Sequence, residues 1–191
     1  MTANNCITEK VLYTTDPKLP SNLLEEMIII AKGNKNSSKP GEVVIGDGEG
    51  VVRKGRSSSV YFLPWDNWIA GILHNMFISA NNDYFHFDLD HFDAGIQTTF
   101  YQKGDYYDWH SDGKCGSTPA QYERKLSMSF LLTDDYEGGE LELEAKPFHE
   151  TLKPKPGTAV IFPSWLPHRV RPVTSGERIS LVAWMNGPVF R

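Results

Sequence analysis

The period of the apolar residues changes partway along the chain. In SNLLEEMIIIAK (residues 21–32) a Ser or Asn cap and an acidic first turn precede apolar positions, and the run stops at Gly33, which predicts a helix. GNKNSSKPGE then reads as a polar loop. From Pro64, PWDNWIAGILHNMFISANN sets Trp68, Ile72, Leu73, Met76 and Phe77 at helical spacing, predicting a second helix with one apolar face. Beyond it come short alternating stretches: YFHFDLD, IQTTFYQ, DYYDWHSD, KLSMSFLLT, GELELE, TLKPKP, TAVIFP, HRVRPV and RISLVAW. Turn residues separate them at 93–95, 104, 113–118, 138–139, 156–157 and 175–176. Many short strands with regular turn signals predict a mainly β chain, a sandwich or barrel with one or two N-terminal helices packed on it.

At 191 residues the chain is long enough for one domain burying roughly 70% of the surface that its unfolded form exposes. No repeat, low-complexity tract or linker divides it. One domain over 1–191 is therefore expected, with helical support over roughly 1–80 and a β core over roughly 81–191. A net charge of −5 argues against a nucleic-acid partner, which calls for a basic excess or stripe. No apolar run approaches the ~20 residues of a membrane helix, and MTANNCITEK lacks the basic-then-apolar pattern of a secretory signal. Cys6 and Cys115 form no Cys-x-x-Cys motif, so the expected setting is reduced and cytoplasmic, without a membrane partner.

His-x-Asp occurs three times, at His86–Asp88, His91–Asp93 and His110–Asp112, where the composition predicts about 0.4 by chance. Residues two apart on an extended strand point the same way, so such a pair can grip a metal ion or simply hydrogen-bond. In YFHFDLD, Phe85, Phe87 and Leu89 alternate with His86, Asp88 and Asp90, which reads as a half-buried strand with a polar face. His91 and Asp93 run into a turn and read as a cap. His110 and Asp112 differ: Tyr101, Tyr107 and Trp109 form an aromatic wall around them, and a polar loop follows. For a third ligand, His168 precedes an alternating strand, whereas His149 sits in a loop-like context and His74 on a helix. In RISLVAW, Arg178, Ser180, Val182 and Trp184 share one face and Ile179, Leu181, Ala183 and Met185 the other. A guanidinium heading that face can bind a carboxylate bidentately. Two histidines and one carboxylate on one side of a metal suit the non-haem Fe(II) oxygenases, and a 2-oxo acid can fill two open positions. Spacing alone leaves the alternatives open: His168 as a core histidine, and Arg178 as a surface salt-bridge residue. The acidic strand Glu140, Glu142, Glu144 reads as a solvated face.

The ordered set YQKGDYYDWHSD, FLLTDDYEGGELEL, KPKPGTAVIFPS and HRVRPVTSGERISLVAW, with NNDYFHFDLDHFDAGIQ upstream, resembles the Fe(II)/2-oxoglutarate-dependent dioxygenases of the prolyl hydroxylase type, especially the PKHD-type hydroxylases. The resemblance covers roughly residues 50–190; the first 50 residues depart most from the pattern. It implies a double-stranded β-helix, a jelly-roll or cupin-like sandwich, with the metal inside one open end. It implies iron ligands at His110, Asp112 and His168, a salt bridge from Arg178 to the distal carboxylate of 2-oxoglutarate, and a co-substrate contact from Tyr101. Ser180 is a weaker candidate; Tyr107 and Trp109 are expected in the pocket wall. The implied cofactors are Fe(II) and 2-oxoglutarate, with ascorbate as a further expectation. The implied activity is hydroxylation of a C–H bond, of a peptidyl residue such as proline, with release of succinate and CO2. The competing readings are the same chemistry on a free amino acid or small molecule, a catalytically silent binding barrel, and a zinc hydrolase on the same three ligands. The 33–50 segment and the 113–124 loop would decide the substrate.

Overall fold

In a computed structural model, which describes residues 12–15, 19–42, 55–93, 95–113 and 121–189, two helices cover one face of a large β-sheet. The expectations for Cys6 and Cys115, and for much of the 33–50 and 113–124 loops, lie outside the described residues. The helices are α1 (Ser21–Gly33) and α2 (Trp68–Ala80). Among the described residues the first strands are β1 (Tyr13–Thr14), β2 (Lys39–Pro40), β3 (Arg56–Ser57), β4 (Ser59–Leu63), β5 (His91–Phe92), β6 (Ile96–Tyr101) and β7 (Tyr106–His110). They continue with β8 (Tyr122–Leu131), β9 (Tyr136–Gly138), β10 (Leu141–Ala145), β11 (Phe148–Leu152), β12 (Ala159–Pro163), β13 (His168–Val170), β14 (Val173–Gly176) and β15 (Arg178–Pro188). The larger sheet runs β1, β12, β8, β15, β6, β4, β2, with β5 also paired to β15; the smaller runs β11, β10, β13, β7, β3. This is the expected mainly β jelly-roll. The strands before residue 80 join the same two sheets as those after it. No helix among the described residues is long and apolar enough to cross a membrane.

Alternation along the larger sheet creates two cores. Ile179, Leu181, Ala183 and Met185 of β15, with Leu126, Met128 and Phe130 of β8, pack against Met27 of α1 and Leu73 and Phe77 of α2. The opposite face meets the smaller sheet, where Tyr101, Leu131, Val160, Phe162, Leu141, Leu143 and Val170 form a second cluster. Arg178 and Ser180 project toward this second side, which is how one strand can both build the helix-facing core and furnish a site.

Four local expectations need correction. The N-cap of α1 is Pro20, not Ser or Asn, and no acidic residue lies in the first turn; the Pro20 carbonyl accepts from Leu23 and Leu24 N–H. The inward face of α2 consists of Ile69, Ala70, Leu73, Phe77 and Ala80; Trp68 is exposed, while Ile72 and Met76 flank the core. YFHFDLD is not a strand. α2 passes into one π-helical turn (Asn81–Phe85), His86 takes a left-handed backbone (φ 56°), and residues 86–90 have no regular structure. Phe85, Phe87 and Leu89 still pack on the core, so the alternation is real. The Asn81 side chain, bonded to both Phe87 N (2.9 Å) and Phe87 O (3.0 Å), supplies the bonds that a neighbouring strand would.

The acidic strand β10 is not a uniformly solvated face: Glu142 is 3% exposed. Its carboxylate accepts from Arg169 Nε (2.5 Å) and lies 3.6 Å from Arg171 and 3.8 Å from His149, which belongs to β11 rather than a loop. Arg169 is the residue opposite Glu142 on the neighbouring strand, so the pair follows from strand register. Burial works against ionisation of Glu142, but Arg169 and its fellow cations outweigh it and hold the carboxyl below its ordinary value.

Candidate functional site

His110 closes β7 and His168 opens β13, and the two are cross-strand partners in the smaller sheet. Asp112 lies just past β7, where its N–H donates to Ser164 O (2.8 Å), tying it to the turn after β12. Sheet register thus gathers three residues that are far apart in the chain. One ligand atom from each of His110, Asp112 and His168 lies within 4.8 Å of the others, and this is the one such His/Cys/Asp/Glu group among the described residues. His86, His91, His149 and exposed His74 stand outside it; His91 instead meets Asp90 (3.2 Å) and Asn186 (3.1 Å).

The imidazoles are set to act as ligands. His110 Nδ1 bonds to Asp108 O (2.7 Å) and His168 Nδ1 to Leu166 O (2.9 Å). A carbonyl can only accept, so each Nδ1 carries the hydrogen, and Nε2 is the atom that bears the lone pair in the neutral ring. Burial, then the neighbouring His168, pushes the His110 pKa down to about 4, so its ring is neutral at pH 7. Burial would raise the Asp112 carboxyl, but the His168 and His110 imidazoles and the bonds from Trp184 and Ser127 hold it below the ordinary carboxylate value. Asp112 Oδ2 accepts from Ser127 Oγ (2.8 Å) and Trp184 Nε1 (2.9 Å). Ser127 has one hydroxyl hydrogen, so Ser164 Oγ, 2.9 Å away, donates to it in turn.

Tyr107 stacks on His110, with ring centroids 3.5 Å apart and planes 15° apart, and Arg56 Cζ lies 4.4 Å from the Tyr107 centroid. Burial pushes the Tyr107 phenol up to about 12. The expectation that Trp109 lines the pocket is corrected: it is exposed, packed with Arg169 (4.8 Å) and His149 (5.9 Å). As the neighbour of His110 it points to the other face of the strand. Tyr107 and His110 share a face despite their odd spacing because the β13–β7 register shifts between His168 and Val170.

Arg178 begins β15 directly opposite Tyr101 and is 2% exposed. Its Nη1 donates to Ser180 Oγ (2.8 Å), Tyr101 lies 5.4 Å from Cζ, and Nε has no partner. No carboxylate among the described residues is within salt-bridge distance. The Tyr136 hydroxyl also bonds the guanidinium; a buried cation with only neutral partners is costly, and a bound carboxylate is what would relieve it. Two imidazole nitrogens with one carboxylate suit Fe(II), and a buried cation with no carboxylate partner among the described residues suits a dicarboxylate; the residues present therefore fit both groups. A cavity of about 440 Å³ is lined by Phe87, Gly113 (the residue after Asp112), Glu123, Arg124 and Trp165.

Sequence reasoning missed the donors Ser127, Ser164 and Trp184 Nε1. Trp184 already fell on the Arg178 face by alternation, so a question about what its N–H meets there would have singled it out.

A model described as the 2OG-Fe(II) oxygenase superfamily matches residues 96–186. A PKHD-type hydroxylase of Hyphomonas neptunium is 40% identical over 90 residues, which is 46% of this chain and 40% of that protein. The chain spans about two fifths of the length of the first curated relatives it matches. Among solved structures, a Pseudomonas putida prolyl-4-hydroxylase superposes with a TM-score of 0.72 at 18% identity, covering 94% of each chain. A Trichoplax adhaerens prolyl hydroxylase, in complex with a hypoxia inducible factor peptide fragment, superposes with a TM-score of 0.74 at 16% identity, covering 92% of this chain and 83% of that one. These two likenesses concern the fold. Over residues 96–186, just under half of its length, the chain is similar to the 2OG-Fe(II) oxygenase superfamily.

Proposed function

We propose that this chain is an Fe(II)- and 2-oxoglutarate-dependent hydroxylase of a peptidyl C–H bond, with proline as the leading residue and with succinate and CO2 as co-products. The observation that carries the reading is the Arg178 guanidinium, without a carboxylate partner among the described residues and with Nε unbonded, buried in the same β core as a cluster of two histidines and one carboxylate. His110, Asp112 and His168 would hold the metal, and Arg178 with Tyr101 the far carboxylate of 2-oxoglutarate. When bound, Fe(II) and 2-oxoglutarate supply the dioxygen-dependent oxidation of a C–H bond.

The chain's own residues do the rest. His110 and His168 offer their Nε2 atoms, Asp112 adds one negative charge, and three donors on one side leave the other positions open. Arg178 fixes the co-substrate by a charge-assisted bond, and Tyr101 beside it closes that end against water. The cavity that Gly113 shares with Phe87 and Trp165 reaches the chain next to Asp112, and on this reading it would be the approach for substrate. A zinc hydrolase could use the same three donors, but it has no need of Arg178. The peptide bound by the Trichoplax neighbour supports a peptidyl substrate here.

Anaerobic addition of Fe(II) and 2-oxoglutarate to the purified protein tests the reading through the weak visible charge-transfer band of the chelated complex. A band that His110→Ala and Arg178→Ala both weaken is expected; no band at saturating ligand overturns the cofactor pair. Succinate release with proline-containing peptides, set against free amino acids, then tests the substrate class. Turnover confined to a free amino acid would overturn the peptidyl assignment.

A further inference from the structure

We infer that Arg124, clamped by Asp93, is a positioning residue that acts through Trp184 on Asp112, so that this carboxylate presents a single oxygen to the metal. The inference rests on the metal-binding reading above and adds to it a chain of residues reaching out of the site.

The two donors to Asp112 Oδ2 come from adjacent strands, because Trp184 of β15 and Ser127 of β8 are cross-strand partners. Both bonds fall on Oδ2. Oδ1 accepts no hydrogen bond among the described residues and lies 3.8 Å from His110 Nε2, while Oδ2 lies 3.5 Å from His168 Nε2. Both oxygens border the histidines, but only Oδ1 is without a protein donor, and the two bonds to Oδ2 fix the tilt at which Oδ1 would meet a cation. An indole has one N–H, so the aim of that bond depends on the plane of the Trp184 ring. Arg124 sets that plane, with Cζ 4.0 Å from the ring centroid. A cation over the ring also draws electron density from the indole and strengthens its N–H as a donor. Arg124 is held in turn: its Nε and Nη2 each lie 2.7 Å from Asp93 Oδ2. Asp93 is fixed by its own N–H, which donates to Trp184 O (2.9 Å). The line from Asp93 through Arg124 and Trp184 to Asp112 thus closes on the strand that carries the indole. Partners of a metal-binding carboxylate are worth about 10–100-fold in metal affinity.

The test is Co(II) titration of the purified protein, read by its ligand-field absorption and needing no turnover, for the parent and for His110→Ala, Trp184→Phe, Arg124→Gln and Arg124→Lys. Trp184→Phe keeps an aromatic ring, though a smaller one, and removes the donor; it should lose about 10–100-fold in Co(II) affinity and shift the absorption bands. Arg124→Gln should shift the bands in the same direction with a smaller loss, and Arg124→Lys, which restores a cation over the ring, should recover most of both. A merely structural role for Arg124 would lower the melting temperature without moving the bands. Parental affinity and bands in a folded Arg124→Gln overturn the inference, even where Trp184→Phe fails to fold. Binding by the parent and not by His110→Ala keeps the metal site and leaves the inference to be judged by Arg124→Gln. No binding by the parent overturns both.

Discussion

At the scale of single residues, the candidate centre depends on which atoms are already engaged. Each histidine spends Nδ1 on a backbone carbonyl two residues earlier, and Asp112 spends Oδ2 on Ser127 and Trp184. What remains points inward. His110→Ala or Asp112→Ala should therefore abolish succinate formation and weaken Fe(II) binding; near-normal succinate from either variant would contradict the ligand assignment. Arg178→Ala should leave Fe(II) binding intact. It should raise the 2-oxoglutarate concentration needed for half-maximal binding by about 10- to 150-fold, the equivalent of ~1.5–3 kcal/mol for a hydrogen bond to a charged group. A titration of the charge-transfer band against 2-oxoglutarate reads this directly, and an unchanged midpoint moves the role elsewhere. Trp109 gives a contrasting case. It sits beside His110 in sequence but on the outer face, so Trp109→Ala should leave Fe(II) affinity at the parental level in the same titration.

At the scale of elements, period-2 alternation predicted that Arg178 and Ser180 share one side of β15 and Ile179, Leu181, Ala183 and Met185 the other; the fold packs the latter side against the helices. It misjudged β10, because alternation says which way a side chain points and not what stands opposite. Glu142 points away from the apolar core, yet it is buried by Arg169, Arg171 and His149 on flanking strands and the adjoining loop. Its folded-state pKa is depressed, so its stabilisation is present above the unfolded value of about 4.3 and is lost as pH falls through the lower folded value. Glu142→Gln should thus lower the melting temperature at pH 7. The gap between parent and variant should narrow as the pH is taken toward 3, and a gap independent of pH would show that packing, not charge, is at stake. YFHFDLD failed for a related reason. Its apolar residues face the core as a strand's would, but the Asn81 amide takes the backbone bonds, and a side-chain substitute for a sheet partner leaves no trace in the alternation.

At the scale of the whole molecule, the centre lies between two sheets, and ligands that bind only the folded chain must stabilise it. At 100 times its dissociation constant such a ligand adds about 2.7 kcal/mol. Fe(II) with 2-oxoglutarate under anaerobic conditions should raise the melting temperature of the parent, and the rise should vanish in His110→Ala; calorimetry with and without chelator checks both. Much of this architecture was legible in the chain alone: two helices, a run of short antiparallel strands, and the histidines, aspartate and arginine of the candidate site. Hydrophobic period and residue chemistry are local properties, and they survive in one dimension. Register is not local. Only the folded structure decided that His110 faces His168 across β7 and β13, that a shift in that pairing turns Tyr107 onto His110, and that Trp184 and Ser127 converge on one oxygen of Asp112. Each of these depends on which residue lies opposite which on another strand, and that is set by the packing of both sheets together.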